Sequence, residues 1–515
     1  MLEYDFDTHE EMTDVFAIAG ESLSMTLEKI RQLYLKNDKA WVIGFSGGKD
    51  STVVLSLIIQ ALLKLDKSQL TKNVYVVCSD TLVETPVVVG LIRQTLLDVE
   101  KFAQSKGIPF KTQMVVPDVG QTFWSNLLGK GYPAPTKSFR WCTERMKINP
   151  VSEFIQSTVS KHGEVIVALG SRSQESASRA QSIAKHTIKG SELSRHSSLP
   201  NAYTYMPIEN WHVDEVWEYL LKAPSPWGGS NEELFMLYKG SNQGECPIVI
   251  DKTTPSCGNS RFGCWTCTVV NKDKAIHGLV ESGEDWMKPL LEFRDELHFS
   301  TLPENKATFR NHKRRSGKIS FQTVYAEGEG RTNEIELNAE GIGINVPGPY
   351  WLDVRKKWLK NLLKIEKNIR ESGRTIELIS RPELHIIRRE WITDPNEPDW
   401  EDSLPQIYQE IYPEDSLEWS ANDLGFFGPE GLESVKNAGQ EAEVSPELLK
   451  KIIDVEVEVS GLGSRRGINN KIESILKRDW ESVEVAFENK KVQSNAANEF
   501  KSKRDKFQSM LGDFS

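Results

Sequence analysis

The sequence predicts an α/β protein: a parallel sheet flanked by helices, then a cysteine-rich segment, then a mixed, mainly helical C-terminal region. Three observations carry that expectation. Over the first 240 residues short apolar runs alternate with helical stretches, the pattern of βαβ crossovers. A Gly-Gly loop follows the first apolar run and opens a helix. Four of the 6 cysteines fall between Cys246 and Cys267.

The strand candidates are Trp41–Phe45, Val74–Ser79, Phe110–Val116 and Val165–Leu169. Between the first two lies STVVLSLIIQALLKL, apolar on nearly every side, which reads as a buried helix. Thr85 to Ser105 reads as a second helix. Residues 173–200 are Ser-rich and short of apolar side chains, which predicts a long surface loop or an insertion that orders on binding. HVDEVWEYLLK, from His212, reads as an amphipathic helix with Val216, Trp217, Leu220 and Leu221 on one face. Residues 241–270, rich in Gly, Pro and Cys, predict little regular structure without a metal. Beyond residue 290 the pattern is mixed, with one clear helix at Tyr350–Glu371 and a charged, Trp-bearing tail. The expected divisions are 1–240, 241–290 and 291–515.

The 515 residues suffice for about three domains. The longest apolar stretch, Val53 to Leu63, is broken by Ser56 and Gln60 and is shorter than the roughly 18–20 residues of a membrane span. The opening MLEYDFDTHEEMTDV is acidic and lacks the features of a signal peptide. A cytoplasmic chain without membrane contact is expected. With 63 Lys and Arg against 74 Asp and Glu, the net charge of −11 argues against a nonspecific nucleic-acid coat but leaves room for a local basic site.

WVIGFSGGKDST places Ser46, Gly47, Gly48, Lys49, Asp50 and Ser51 between a strand and a helix. Glycines let backbone approach an anion, and a helix N-terminus presents free N–H groups at the positive end of its dipole. Ser46 and Ser51 add hydroxyls, and Lys49 adds a charge, a set suited to binding phosphate. Asp50 suits Mg²⁺, which prefers carboxylate oxygen. The loop is no Walker A motif, which needs Gly where Ile43 stands and Ser or Thr where Asp50 stands. Arg172 and Arg179 have the guanidinium fork that binds phosphate oxygens in pairs, solvated charges on a polar loop being the alternative.

The cysteine spacing is Cys246-x10-Cys257-x6-Cys264-x2-Cys267. Such clustering points to a metal or redox site rather than a disulfide framework. Structural zinc commonly uses two short knuckles, and only one pair here is short. A [4Fe–4S] cluster accepts uneven loops, so the spacing favours iron–sulfur while zinc stays open. Cys142, beside Arg140, Arg145 and Lys147, stands in a basic setting that favours thiolate, which makes it the candidate for a sulfur-handling or redox thiol, a structural cysteine being the alternative. Cys78 reads as packed core.

The loop resembles that of the PP-loop ATP pyrophosphatases, which cleave ATP between its α- and β-phosphates. Further segments resemble the PAPS-reductase branch of that family. They are Asp80-Thr81 with Glu84-Thr85, Arg140-Trp141-Cys142-Thr143 with Lys147 and Pro150, Gly170-Ser171-Arg172 with Glu175-Ser176 and Arg179, and Met206-Pro207-Ile208 with Trp211 and Trp217. In the first, the spacing is shorter than in that branch and Pro86 follows Glu84-Thr85 instead of preceding it. The resemblance implies ATP and pyrophosphate contacts from Ser46 to Ser51 and from Asp80, Arg172 and Arg179, with Lys49 and Asp50 catalytic. Together with the four cysteines, the set resembles the DNA phosphorothioation sulfurtransferase (DndC) family to about residue 300. That resemblance implies a [4Fe–4S] cluster on Cys246, Cys257, Cys264 and Cys267, ATP with Mg²⁺, adenylation of a DNA backbone phosphate before sulfur insertion, and a cysteine desulfurase and other Dnd-system proteins as partners.

Asn305–Gln322 holds Lys306, Arg310, Lys313, Arg314, Arg315 and Lys318 with no acidic residue. Backbone binding needs such a concentration, so Lys313, Arg314 and Arg315 are the DNA candidates. A solvated basic loop or a dock for an acidic partner is the alternative. Two other functions fit less of the sequence: a tRNA-thiolating PP-loop enzyme, and a non-catalytic iron–sulfur protein that binds DNA or a partner. A sulfonucleotide reductase would need a cysteine in its C-terminal tail, and none follows Cys267.

Overall fold

A computed structural model describes residues 17–18, 21–175, 177–188, 190–241, 263–326, 330–339, 341–415, 417–419, 429–459 and 467–492. The chain divides into two compact units: Met1–Phe123 with Pro135–Leu297, and Trp124–Ala134 with His298–Ser515.

The first unit is built on a six-stranded sheet. Its strands are β1 (Ala40–Gly44), β2 (Val74–Ser79), β3 (Phe110–Val115), β4 (Val165–Ala168), β5 (Ser194–Arg195) and β6 (Ala202–Tyr205). They lie in the order β3-β2-β1-β4-β6-β5, all parallel except β5, which pairs antiparallel with β6. Helices α1 (Leu23–Leu35), α2 (Lys49–Leu63), α3 (Pro86–Lys106), α4 (Asn149–His162), α5 (Ala177–His186), α6 (Val213–Lys222) and α7 (Glu232–Ser241) complete the layers. Alternation along β1 shows why: Trp41 and Ile43 enter one apolar cluster with α1, α2 and α6, while Ala40 and Val42 enter another with Ile155 of α4. Since α2 is buried around nearly its whole circumference, its sequence is apolar around the helix. The strand order reverses between β1 and β4, so the crevice at their carboxyl ends is the expected ligand position of a doubly wound sheet.

Two expectations change. Residues 173–200 are not a bare loop: they hold α5 and β5, with Ile183 and Leu199 as buried apolar anchors. In α6 the buried face is Val216, Trp217, Tyr219 and Leu220, while Leu221 is exposed. Leu221, four positions after Trp217, falls at the rim of the apolar stripe and turns outward.

After the cysteine segment come α8 (Lys274–Glu281) and α9 (Lys288–Phe299). The second unit has an antiparallel pair, β7 (Thr323–Ala326) and β8 (Gly330–Ile335), and helices α10 (Leu352–Glu371), α11 (Arg381–Ile392), α12 (Ser403–Ile411), α13 (Pro429–Glu441), α14 (Pro446–Val459) and α15 (Ile468–Leu476). The 124–134 segment is tied into it: Trp124 Nε1 donates to the Leu378 carbonyl at 2.6 Å, and Trp391 Nε1 to that of Leu128 at 2.7 Å. Among the described residues, no helix is long and apolar enough to cross a membrane.

The basic segment is partly consumed by its own unit. Arg310 donates to the carbonyls of Gly348 and Pro347, both at 2.7 Å. Arg315 donates to the Lys130 carbonyl at 2.8 Å and pairs with Glu390 at 3.1 Å. Lys313 Nζ sits over the Trp480 ring, 5.7 Å from its centroid. Arg314 and Lys318 are exposed and close a turn, with the Arg314 N–H donating to the Lys318 carbonyl at 2.8 Å.

Candidate nucleotide site and cysteine turn

The loop after β1 is shaped by its own hydroxyls. Ser51 Oγ donates to the Gly48 carbonyl at 3.0 Å, accepts from the Ser46 N–H at 3.2 Å, and lies 3.2 Å from Ser46 Oγ. Gly47 turns the chain in the left-handed region, at φ +70°, where a Cβ would strike Ile92. Gly48 caps α2, so Lys49 and Asp50 begin the helix.

They do not project from a surface loop. Lys49 and Arg172 are buried, at 7% and 5% exposure, and the Asp50 carboxylate lies between them. Lys49 Nζ meets Asp50 Oδ2 at 3.0 Å, and Arg172 Nε donates to Asp50 Oδ1 at 2.7 Å. Arg172 also donates to the Trp211 carbonyl at 3.2 Å. Each buried charge is thereby paired, which burial requires. Gly170, at the end of β4, runs so close to the first turn of α2 that a Cβ there would lie 2.7 Å from the Asp50 carbonyl carbon. The loops after β1 and β4 therefore meet at the reversal of strand order. Arg179 lies within α5 and is placed by its backbone alone. Tyr238 of α7, which nothing in the local sequence marks as a site residue, touches the loop at Lys49.

At the end of β2, Asp80 is buried and accepts the Leu82 N–H at 2.8 Å. The segment that follows it carries the cysteine turn. Thr85 N–H donates to the Gly263 carbonyl at 3.2 Å, and Trp265 N–H to that of Val83 at 2.9 Å, so Cys264 pairs antiparallel with Glu84. Cys267 N–H closes the turn on the Cys264 carbonyl at 3.0 Å. The Cys264 thiol lies 3.3 Å from Thr81 Oγ1. Glu84 pairs with Lys147 at 3.0 Å. From α9, the wholly buried Arg294 donates to the carbonyls of Cys267 at 2.8 Å, Asn271 at 2.9 Å and Val270. Nothing around residue 294 in the sequence signals that clamp.

Burial pushes the Cys264 thiol up, helped by the Glu84 carboxylate. It does the same to Cys142, with a further contribution from Cys267. Arg145 donates to Gln121 at 2.8 Å, and Lys147, held by Glu84, pulls the Cys142 thiol down by less than burial pushes it up. Burial lowers the Lys147 ammonium, but Cys264 and Glu84 pull it up by more, for a net rise. Cys78 is buried in β2, its thiol pushed up to about 12 by burial and by Asp80 and Glu84.

A metal cluster would displace the proton that burial leaves on Cys264, and two soft thiols on one tight turn suit iron or zinc. Among the described residues no group of three or more metal-binding side chains gathers. The remaining ligands would be Cys246 and Cys257, which lie outside the described residues.

Residues 40–270 match the phosphoadenosine phosphosulfate reductase domain family, a stretch running from β1 to just past the cysteine turn. The chain is 26% identical over 318 residues to an uncharacterized protein of Methanocaldococcus jannaschii, covering 60% of this chain and 55% of that one. A second uncharacterized protein of that organism is 28% identical over 200 residues, 39% of this chain and 40% of its own length. The chain thus spans about half the length of these relatives. Among solved structures, the phosphoadenylyl-sulfate reductase of Candida auris aligns at 15% identity and TM-score 0.25, over 42% of this chain and 87% of that one. The U34-tRNA thiolase NcsA of Methanococcus maripaludis, solved with its [4Fe–4S] cluster, aligns at 19% identity and TM-score 0.23, over 41% and 70%. Residues 40–270 are thus similar to the PAPS-reductase domain, and they carry the mostly parallel, helix-flanked sheet of that fold.

Proposed function

We propose that this chain cleaves ATP between the α- and β-phosphates, transfers AMP to an acceptor oxygen, and couples that step to sulfur transfer, with a DNA backbone phosphate as the acceptor. The observation that carries the ATP step is the Lys49–Asp50–Arg172 cluster at the start of α2, where two strand ends meet over a glycine loop. The acceptor oxygen attacks the α-phosphorus, the bond to the bridging oxygen breaks, and pyrophosphate leaves with the electron pair. Lys49 and the loop's N–H groups meet the charge that builds on the leaving group. Mg²⁺, when bound, would share that charge, and the Asp50 carboxylate would hold it. Arg172 keeps the strand β4 side of the site against α2 through Asp50 and Trp211. AMP on the acceptor is then a good leaving group, displaced at phosphorus by the terminal sulfur of the desulfurase's persulfide; a dithiol reductant supplies the two electrons that then cleave the sulfur–sulfur bond.

The cysteines support the sulfur half. Cys246, Cys257, Cys264 and Cys267 would hold a [4Fe–4S] cluster, whose chemistry is electron or sulfur handling. The turn bearing two of them is docked on the segment after β2, the strand beside the one that bears the ATP loop. The DNA acceptor, the cysteine desulfurase as sulfur donor and the Dnd-system partners rest on the likeness of the cysteine spacing to the phosphorothioation family. Of the exposed cations Arg314, Arg315 and Lys318, Arg315 is engaged by Lys130 and Glu390 and Arg314 donates to the Pro347 carbonyl at 3.4 Å, which makes Lys318 and then Arg314 the ones suited to backbone contact.

The test uses full-length protein purified without oxygen and ATP labelled at the α-phosphate. AMP and pyrophosphate are the expected products, lost in Lys49→Ala; ADP would overturn the ATP reading. Duplex DNA should stimulate turnover and tRNA should not; the reverse would replace the acceptor. Iron and acid-labile sulfide should be present and fall in each of the four Cys→Ser variants, whereas stoichiometric zinc without sulfide would overturn the cluster.

A further inference from the structure

The side chain that nothing yet accounts for at the ATP loop is Tyr238. It comes from α7, 189 residues after the lysine it touches, and it is buried. Its hydroxyl oxygen accepts the backbone N–H of Lys49 at 3.4 Å. Its ring face carries the ammonium of the same residue, with Lys49 Nζ 5.5 Å from the ring centroid. The ring is itself fixed, edge-on against Trp217 at 5.0 Å and 81°. The hydroxyl also crowds the loop: a Cβ at Gly48 would lie 3.3 Å from it. One side chain therefore holds both ends of Lys49, the backbone donor and the charge.

We propose that Tyr238 is the positioning residue of the ATP loop, holding Lys49 in place when Asp50 is drawn away. The proposal rests on the ATP reading above. The first N–H groups of α2 have no partner within the helix and are the donors that would meet pyrophosphate. Tyr238 takes the Lys49 N–H from the core side, which fixes the loop while leaving the other donors to the ligand. Lys49 Nζ meets the Asp50 carboxylate at 3.0 Å and lies over the Tyr238 ring. A Mg²⁺ ion on Asp50 would take away the first of these contacts. The ring, whose negative face attracts an ammonium, then remains to keep the charge aimed at the leaving group. The hydroxyl and the ring have separable roles: the hydroxyl sets the loop that binds, and the ring sets the charge that works in the transition state.

Separable roles give separable kinetics. In Tyr238→Phe the ring stays and the hydroxyl goes. Affinity for inorganic pyrophosphate with Mg²⁺, and KM for ATP, should weaken by about two- to tenfold with kcat nearly unchanged, the range expected for one neutral hydrogen bond. In Tyr238→Leu the ring also goes. KM should resemble that of the Phe variant while kcat falls a further two- to thirtyfold, the span of a partly desolvated cation–π contact. A residue that only packs the core would lower the melting temperature in both variants and leave KM and kcat of the folded enzyme at wild-type values. That outcome overturns the role of Tyr238. If the Leu variant does not fold, an unchanged KM and pyrophosphate affinity in the Phe variant still overturns it. A wild-type chain that neither binds pyrophosphate nor cleaves ATP overturns the ATP reading, and the proposal with it.

Discussion

Gly170→Ala places one methyl group where the structure has no room for it. The added Cβ would lie 2.7 Å from the Asp50 carbonyl carbon, 2.8 Å from its oxygen and 2.9 Å from the Ser51 nitrogen. All three are backbone atoms, so no rotamer change relieves the contact. Reaching an ordinary separation of 3.4 Å demands a shift of about 0.5–0.7 Å. On one side α2 is packed by Val53, Val54, Leu57 and Ile58, all fully buried, and resists movement. The end of β4 must therefore give way, and with it Arg172, two residues on, whose 2.7 Å bond to Asp50 is the link between the loops. Overpacking of this kind costs about 1–3 kcal/mol of stability. Misplacing a positioned charge by a comparable distance costs on the order of 10²-fold in rate. Pyrophosphate release and urea unfolding of the same preparation measure the two effects. Gly90→Ala is the control, since Gly90 is exposed within α3 and a Cβ there meets nothing within 4 Å. That variant should gain about 0.5–1 kcal/mol and keep its turnover. A Gly170→Ala protein with wild-type stability and turnover would show that β4 and α2 do not meet as described.

Removing the Asp50 carboxylate should destabilise the fold as well as stop turnover, because Asp50→Ala leaves Lys49 and Arg172 buried without their anion. About 2–4 kcal/mol is expected by urea unfolding, more than Lys49→Met costs, since Asp50 then keeps Arg172; equal losses would contradict the pairing. Arg294→Ala should lower stability by about 2–4 kcal/mol and reduce bound iron although no ligand is touched, because the carbonyls of Cys267, Val270 and Asn271 lose their donor; unchanged iron per chain would argue against the clamp. In the second unit, burial raises Glu397 to about 7 against the opposing pull of Arg355 and the Leu352 N–H. The fold thus favours the protonated acid, so this stabilisation is full below the unfolded value of 4.5 and is lost as pH rises through about 7. Glu397→Gln should therefore gain stability relative to wild type between pH 4.5 and 8, by up to about 3 kcal/mol in thermal or urea unfolding; a difference that stays constant with pH would refute the assignment.

The alternation of strands and helices was legible because each signal is local. The strands of the sheet interior are buried on both faces, so their residues are apolar in runs, and α2 is apolar around its circumference. The glycine loop was legible for the same reason: strand, turn and cap lie within a dozen residues. Partners were what the sequence hid. A local reading puts Lys49 and Asp50 on a surface, because charges are ordinarily solvated. In the fold Lys49 is buried against Asp50, whose carboxylate also takes Arg172, 122 residues on, with Tyr238 farther still. Cys142 has cations beside it in sequence, yet Arg145 turns to Gln121 and Lys147, held by Glu84, pulls less than burial pushes, so burial decides the state of the thiol. The basic segment repeats the lesson, since Arg315 is engaged by Lys130 and Glu390, 185 and 75 positions away. A run of charge in a sequence states how many groups must be satisfied. Whether a phosphate or the protein satisfies them depends on contacts between distant parts of the chain, and at Arg172, Arg310 and Arg315 those contacts are already made.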